Sequence, residues 1–280
     1  MKLPQPGDAF EWTDASGRAA LVCRPLAPFA HHIFTSRLWP LATPAGANPG
    51  EVWNGIAHAV GADGARLLRA RQVHGAAVVA HREGEPIGQP ADADILVTND
   101  PQVAAVIQTA DCVPVLLADT RTGAVAAAHA GWRGLAQRVP LAAVEAMVRE
   151  FGTRESTLIA AIGPAIGACC YEVGGEVRER FAAAGFGESE LSRWFKREAQ
   201  PSPVNPSMSG LPSHARADHW FLDVWSAARE QLRAAGVRGD RIFAAELCTA
   251  SHPDALCSYR RDGSSAGRMA AAIRRSDVHG

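Results

Sequence analysis

The chain has 280 residues, 47% of them hydrophobic, which suffices for one large core. Lys and Arg number 28 against 29 Asp and Glu, a formal net charge of −1, so nothing in the overall charge points to nucleic acid or to an anionic membrane, and the expected partner is a small molecule or another subunit. The opening MKLPQPGDAF lacks the apolar core of a secretory signal, and no run of roughly 18 apolar residues occurs, so a cytoplasmic protein without a membrane span is expected.

Taken in chain order, residues 39–51 (WPLATPAGANPGE) are rich in Pro, Ala and Gly and read as an irregular loop. Residues 76–80, 95–98, 103–107, 113–118 and 124–128 are short runs rich in Val, Ile and Ala, punctuated by Gly, Pro, Asn and Asp, and predict strands. Residues 135–151 have helical spacing with Gly152 as a stop. A strand is predicted at 158–162 and a helix at 174–184. Residues 200–214 hold four prolines and four serines and predict a surface excursion, expected to be mobile. An amphipathic helix is predicted over 220–235, ended by Gly236, then a strand over 241–247 and a last helix from about Gly267. This alternation of strands and helices predicts one α/β domain over residues 1–280 with a mixed sheet.

Six cysteines are present: Cys23, Cys112, Cys169, Cys170, Cys248 and Cys257. Their irregular spacing and the vicinal Cys169–Cys170 pair argue for reduced thiols, at least one of them free for metal or nucleophilic work. Three motifs stand at predicted strand ends beside tight turns: Gln72-Val73-His74-Gly75, Thr109-Ala110-Asp111-Cys112-Val113-Pro114, and Ala128-His129-Ala130-Gly131-Trp132-Arg133-Gly134. Strand ends are where α/β folds gather chemistry, because the loops there converge on one crevice. Two imidazoles and a thiolate suit Zn²⁺, and three protein ligands leave a fourth position for water or substrate, with a water pKa near ~7. The separations alone are not diagnostic. A histidine at a strand end is more often a hydrogen-bonded structural residue, and a buried cysteine is usually inert packing. Arg133 at a helix start is placed either to share an incoming phosphate with backbone N–H groups or to form a salt bridge. In Ser258-Tyr259-Arg260-Arg261-Asp262-Gly263, two adjacent arginines cannot both face one way in an extended chain; one can enter a site while the other pairs with an acid.

From about residue 70 to 273, the motifs QVHG, TADCVP, AHAGWRG, IGPAIGACCYEVG and SYRRDG…GRMA resemble, in order, one bacterial family. It is known as the laccase-domain or multicopper polyphenol oxidase family, as a peptidoglycan editing factor family, and as a purine nucleoside phosphorylase family. The resemblance implies a single-domain α/β/β/α sandwich with mixed sheets and zinc held by His74, Cys112 and His129. It also implies phosphorolysis of adenosine, inosine and methylthioadenosine, with deamination of adenosine. Cys112, Asp111 and Arg133 are then the candidate catalytic residues. Arg37, Asp94, Arg260 and Arg261 are the candidates for phosphate or substrate, with Asp94 and Asp111 as acid or base. The chain departs from the family before residue 70: Ile33-Phe34-Thr35-Ser36-Arg37 matches the start of the family's Phe-Thr-Thr-Arg segment, but Leu38-Trp39-Pro40 replaces its glycines.

Two other activities use the same residues. A polyphenol oxidase with adventitious copper is one, although the chain has no His-x-His pair of the kind a trinuclear copper cluster needs. A cysteine hydrolase acting on peptidoglycan precursors, with Cys112 as nucleophile and His129 as base, is the other. A metal-stabilised binding module without turnover is the non-enzymatic alternative.

Overall fold

The computed structural model describes residues 3–41 and 49–276. It opens with a hairpin of β1 (Phe10–Ala15) and β2 (Arg18–Cys23), turned at Ser16 and Gly17, whose φ values of 52° and 75° are those a two-residue hairpin turn requires. β3 (Ala30–Thr35), β4 (Leu67–Leu68), β7 (Ala104–Thr109) and β15 (Met269–Arg275) complete a six-stranded sheet in the order β1-β2-β3-β15-β7-β4. The second six-stranded sheet takes β5 (Val78–His81), β6 (Ile95–Thr98), β8 (Val113–Asp119), β9 (Val125–Ala130), β10 (Leu158–Ile162) and β14 (Ile242–Ala244) in the order β14-β10-β8-β9-β6-β5. Both sheets are mixed: β4 with β7, β5 with β6 and β10 with β14 are parallel, and the other pairs are antiparallel.

Successive residues of a strand point to opposite faces, and this alternation builds the layers. Leu21, Phe34, Ile107, Ala271 and Ile273 of the first sheet meet Leu96, Leu116, Ala127 and Ile159 of the second. The outer face of the first sheet, including Ile33, Val106, Ala270 and Ala272, packs on Val52 and Ile56 of α1 (Pro49–Ala59). The outer face of the second, including Val97, Val115, Leu117 and Ala128, is covered by α2 (Trp132–Ala136), α3 (Val139–Phe151) and α6 (Val224–Ala234). The result is an α/β/β/α sandwich, as the family resemblance implies. A small sheet of β11 (Glu172–Gly174), β12 (Phe195–Lys196) and β13 (His219–Leu222) flanks it with α4 (Gly175–Ala183) and α5 (Glu188–Trp194). The one-turn α7 (Tyr259–Asp262) precedes β15. Among the described residues no helix is long and apolar enough to cross a membrane.

Several expectations are corrected. The segment after Gly267 is not a helix but β15, central in its sheet between β3 and β7. Alanine favours helices, but Met269-Ala270-Ala271-Ala272-Ile273 is buried on both faces, and two flanking ladders outweigh local propensity. The helix expected over 220–235 begins at Val224, because the Asp223 side chain accepts the Ser226 N–H as an N-cap and the preceding residues form β13. The helix expected over 135–151 is two, broken where Arg138 adopts φ 60° ahead of Pro140. Of the loop expected over 39–51, residues 42–48 lie outside the described residues, and 49–51 form the first turn of α1. The excursion at 200–214 has no helix or sheet strand, but it is tied down: buried Asn205 donates to the Glu246 carbonyl (2.7 Å) and accepts the Cys248 N–H (2.8 Å).

Candidate metal centre

The topology brings the three motifs to one end of the sandwich. His74 lies in the turn before β5. Cys112 lies where the chain leaves β7 in one sheet and enters β8 in the other. His129 is the penultimate residue of β9. Their ligand atoms all fall within 4.8 Å of one another. The His74 and His129 rings are 4.9 Å apart at an angle of 76°. Gly131, which follows β9, must lack a side chain: a Cβ there would lie 2.7 Å from Cys112 Sγ and 3.2 Å from His74 Cδ2.

Asp94, at the entrance to β6, organises the site from behind. Its carboxylate is fully buried. Oδ1 accepts the His74 N–H (3.1 Å) and the His129 ring at Nδ1 (2.7 Å), while Oδ2 accepts the N–H groups of Val73 (3.1 Å) and Gly75 (2.7 Å). These bonds hold His74 at φ 60°, a strained value for a residue with a Cβ. They also fix the His129 tautomer, so that Nε2 is the ring atom left for Cys112. Burial pushes the Asp94 carboxyl up, but the bonds from His129 and the backbone N–H groups outweigh it and hold it below the usual range.

Burial raises the Cys112 thiol, yet the contacts from His129 and His74 bring it down to about 6. For His129 burial works downward, and the bonds to Asp94 and Cys112 lift it to about 9. These contacts favour the charged pair, a thiolate at Cys112 beside an imidazolium at His129. Two imidazole nitrogens and one thiolate, converging on one point and opening into a cavity, fit a tetrahedral zinc-type ion with one position left for water or substrate.

That cavity holds about 730 Å³. Arg133 rests on the Trp132 ring (4.4 Å), and among the described residues its guanidinium has no protein acceptor. Arg260 lies over the Tyr171 ring (4.9 Å) and gives Nη1 to the Glu172 carbonyl (2.6 Å). Asp111 stands in the cavity wall at φ 86°. Its carboxylate accepts the Thr249 hydroxyl and the Arg260 backbone N–H (2.6 Å), and burial raises it despite these bonds. Arg261 faces away: it pairs with Asp262 (2.7 Å) and gives Nη1 to the Thr249 carbonyl (2.9 Å). Arg37 is also elsewhere, donating to the Pro253 carbonyl and lining a separate cavity of about 380 Å³ with Trp39, Asp262 and Arg268. Asp94 does not line the cavity but stands behind His129.

Sequence reasoning passed over Arg71, Gln108, Tyr171 and Tyr259, which line the cavity. Gln72 was visible only as part of QVHG. Its side chain exchanges two 2.7 Å hydrogen bonds with the Gln108 backbone, extending the β7 ladder and fixing the approach to His74. Tyr171 had one signal, its place directly after the two cysteines in a quoted motif.

Fold and donor set together define an α/β/β/α protein with a histidine–cysteine–histidine centre at the end of its sheets. A family model described as multi-copper polyphenol oxidoreductase laccase matches residues 50–276, and the chain belongs to that family. It is 36% identical over 180 residues to a purine nucleoside phosphorylase of Bacteroides thetaiotaomicron, covering 64% of this chain and 60% of that protein. It is 36% identical over 202 residues to purine nucleoside phosphorylase YfiH of Escherichia coli, covering 72% and 71%. Over 182 residues it is 35% identical to adenosine deaminase RL5 of an unknown prokaryotic organism, covering 65% and 62%. The crystal structure of Bacillus licheniformis hypothetical protein YfiH shares the fold, with a TM-score of 0.80 at 23% identity over 96% of this chain and 100% of that one. That of YlmD from Geobacillus stearothermophilus gives 0.75 at 27% identity over the same shares.

Proposed function

We propose that this chain is a zinc-dependent purine nucleoside phosphorylase acting on adenosine, inosine and methylthioadenosine, with adenosine deaminase activity, and that the whole chain works as one cytoplasmic domain. The observation that carries the reading is a pair of cations that have no carboxylate partner among the described residues, Arg133 and Arg260, held on aromatic rings in the same cavity as His74, Cys112 and His129. Uncompensated guanidinium groups in a cavity favour an anion, and phosphate suits their planar fork. A volume of about 730 Å³ accommodates a nucleoside beside phosphate, and the exposed Tyr259 offers a flat face to a base. The names of the Bacteroides and Escherichia relatives support the phosphorylase, and that of RL5 supports the deaminase.

When bound, zinc at the three donors would supply Lewis acidity and an acidified water near neutral pH. The protein's own groups do the rest. Arg133 and Arg260 hold phosphate against C1′ of the ribose, so that a C–O bond forms there as the bond to the base breaks. Asp111, raised by burial and anchored by Thr249, stands where a proton can be given to or taken from the purine. Asp94 keeps His129 in one tautomer. Base release from inosine in the presence and absence of phosphate tests the proposal. Release that rises with phosphate and yields ribose 1-phosphate is expected, and release indifferent to phosphate would refute it.

One observation favours a second reading. Cys112, His129 and Asp94 form a chain of nucleophile, base and orienting acid, with Nδ1 of His129 2.7 Å from Asp94 and the thiol lowered to about 6. A cysteine hydrolase of peptidoglycan precursors would use it. Covalent labelling of Cys112 by a substrate-like electrophile in zinc-loaded protein would favour that reading. Copper at the same donors would be needed for polyphenol oxidation, and oxidase activity that survives in zinc-only protein with copper chelated would contradict the adventitious-copper reading.

A further inference from the structure

Behind the wall of the cavity a second group of three sulfurs converges. The ligand atoms of Cys169, Cys170 and Cys248 lie within 4.8 Å of one another, and all three residues are buried, at 2%, 0% and 0% exposure. None is in a disulfide. They come from two loops joined by a parallel bridge between Ala165 and Cys248. We infer that Cys169, Cys170 and Cys248 form a second metal site, built for a soft, thiolate-preferring d¹⁰ cation such as Zn²⁺ or Cu⁺.

Three features separate this cluster from inert packing. First, two of its sulfurs accept backbone N–H groups: Cys248 Sγ takes that of Gly167 at 3.2 Å and Cys170 Sγ that of Met208 at 3.3 Å, while Cys170 also donates to the Pro206 carbonyl (3.7 Å). A neutral thiol is a weak acceptor, and a backbone N–H aimed at sulfur stabilises a thiolate. Second, the convergence is held by the backbone: Ala165 N–H donates to the Leu247 carbonyl (3.2 Å), Thr249 N–H to the Ala165 carbonyl (3.1 Å) and Cys170 N–H to the Gly167 carbonyl (2.9 Å). Third, among the described residues no arginine or lysine side chain is hydrogen-bonded to the three sulfurs, which are surrounded by Ile166, Ala250, Tyr171, Met208 and Trp225. Thiolates buried without a counter-ion are costly, and a bound cation is what removes that cost. Ser251 Oγ lies 3.6 Å from both Cys169 and Cys170 Sγ, gives its proton to the Pro206 carbonyl, and offers an oxygen as a fourth donor.

The cluster adjoins the first centre without sharing a residue. Tyr171, next to Cys170, carries Arg260 on its ring, and Thr249, next to Cys248, donates to Asp111. A cation at the three sulfurs would clamp both residues from behind, whatever reaction the cavity performs.

The test uses Cys112→Ala protein, which removes the first centre's thiolate and leaves the second intact. Titration with Cd²⁺ alone under reducing conditions should produce an ultraviolet sulfur-to-metal absorption saturating at one equivalent. Its intensity should match about three Cd–S bonds, and adding Cys248→Ser should remove most of it. Bound Cd²⁺ should also slow alkylation of Cys169, Cys170 and Cys248 together during partial unfolding, a readout that does not depend on the variant's folding. Absence of the band in Cys112→Ala protein would overturn the proposal. So would a band untouched by Cys248→Ser, or an intramolecular disulfide among the three in unreduced native protein.

Discussion

Replacing Asp94 by Asn changes one atom and sets an acceptor-only carboxylate against an amide that donates from one side. Each oxygen of Asp94 accepts two hydrogen bonds: Oδ1 from His74 N–H and His129 Nδ1, Oδ2 from Val73 and Gly75 N–H. Whichever way the amide turns, its NH₂ group faces two donors. Hydrogen bonds to a charged group contribute about 1.5–3 kcal/mol each, so losing two in a fully buried position costs roughly 3–6 kcal/mol. One escape is for His129 to move its proton to Nε2, which relieves Nδ1 but removes the ring atom that faces Cys112. Zinc affinity should therefore fall about 10–100-fold, the usual cost of losing a carboxylate behind a metal-binding histidine. Urea unfolding of zinc-free protein followed by tryptophan fluorescence measures the first effect, and chelator competition the second. An Asp94→Asn protein with wild-type midpoint and wild-type zinc affinity would refute the role assigned to Asp94.

Gly131→Ala should lower zinc occupancy at least about tenfold while costing roughly 1–3 kcal/mol in stability, because its Cβ would press on Cys112 Sγ from 2.7 Å; metal analysis beside urea unfolding checks both. Arg260→Ala and Arg133→Ala should each raise the KM for phosphate about 10–100-fold with a smaller effect on nucleoside, as expected when a charge-assisted bond is lost. His32 is buried and neutral, accepting the Cys23 N–H at Nε2 (2.8 Å) with Nδ1 on the Ala30 carbonyl (2.9 Å), and burial lowers it from 6.5 to about 4. The unfolded chain binds this proton first. Stability from this group is therefore complete above pH ~6.5 and is lost as pH falls toward 4, by about 3 kcal/mol at most; urea midpoints across that range should show it, and His32→Gln should flatten it. In chelated protein, alkylation of Cys112 should have its midpoint near pH 6 and not near the ordinary thiol value of 9.

How much of this was legible depends on where the information lies in the chain. His74, Cys112 and His129 each sit in a short motif beside a tight turn, and the eye can collect them. The topology that joins them is nonlocal: β7 and β8 belong to different sheets. Asp94 looks like any acid before a strand. Its place behind His129 follows from the pairing of β6 with β9, in which Ile95 stands opposite Ala128, and no local pattern encodes it. The Met269–Arg275 run reads as helix because alanine carries the local preference, while its strand state is set by neighbours more than 150 residues away in sequence. The N-terminal hairpin did carry a signal, Ser16-Gly17 between Phe10-Glu11-Trp12 and the apolar run Ala19-Ala20-Leu21-Val22-Cys23. Of the two arginines after Tyr259, only the fold decides that Arg260 reaches the cavity, through the bond from its own backbone N–H to Asp111.

Whether the centre at His74, Cys112 and His129 works as a metal site on nucleosides is open to a direct test. The most direct measurement is the rate of phosphate-dependent base release from adenosine as zinc is removed by a chelator and then restored. Activity should disappear with the ion and return with it. Activity that survives or rises as the ion leaves and the Cys112 thiolate is freed would contradict the account and make Cys112 itself the reacting group.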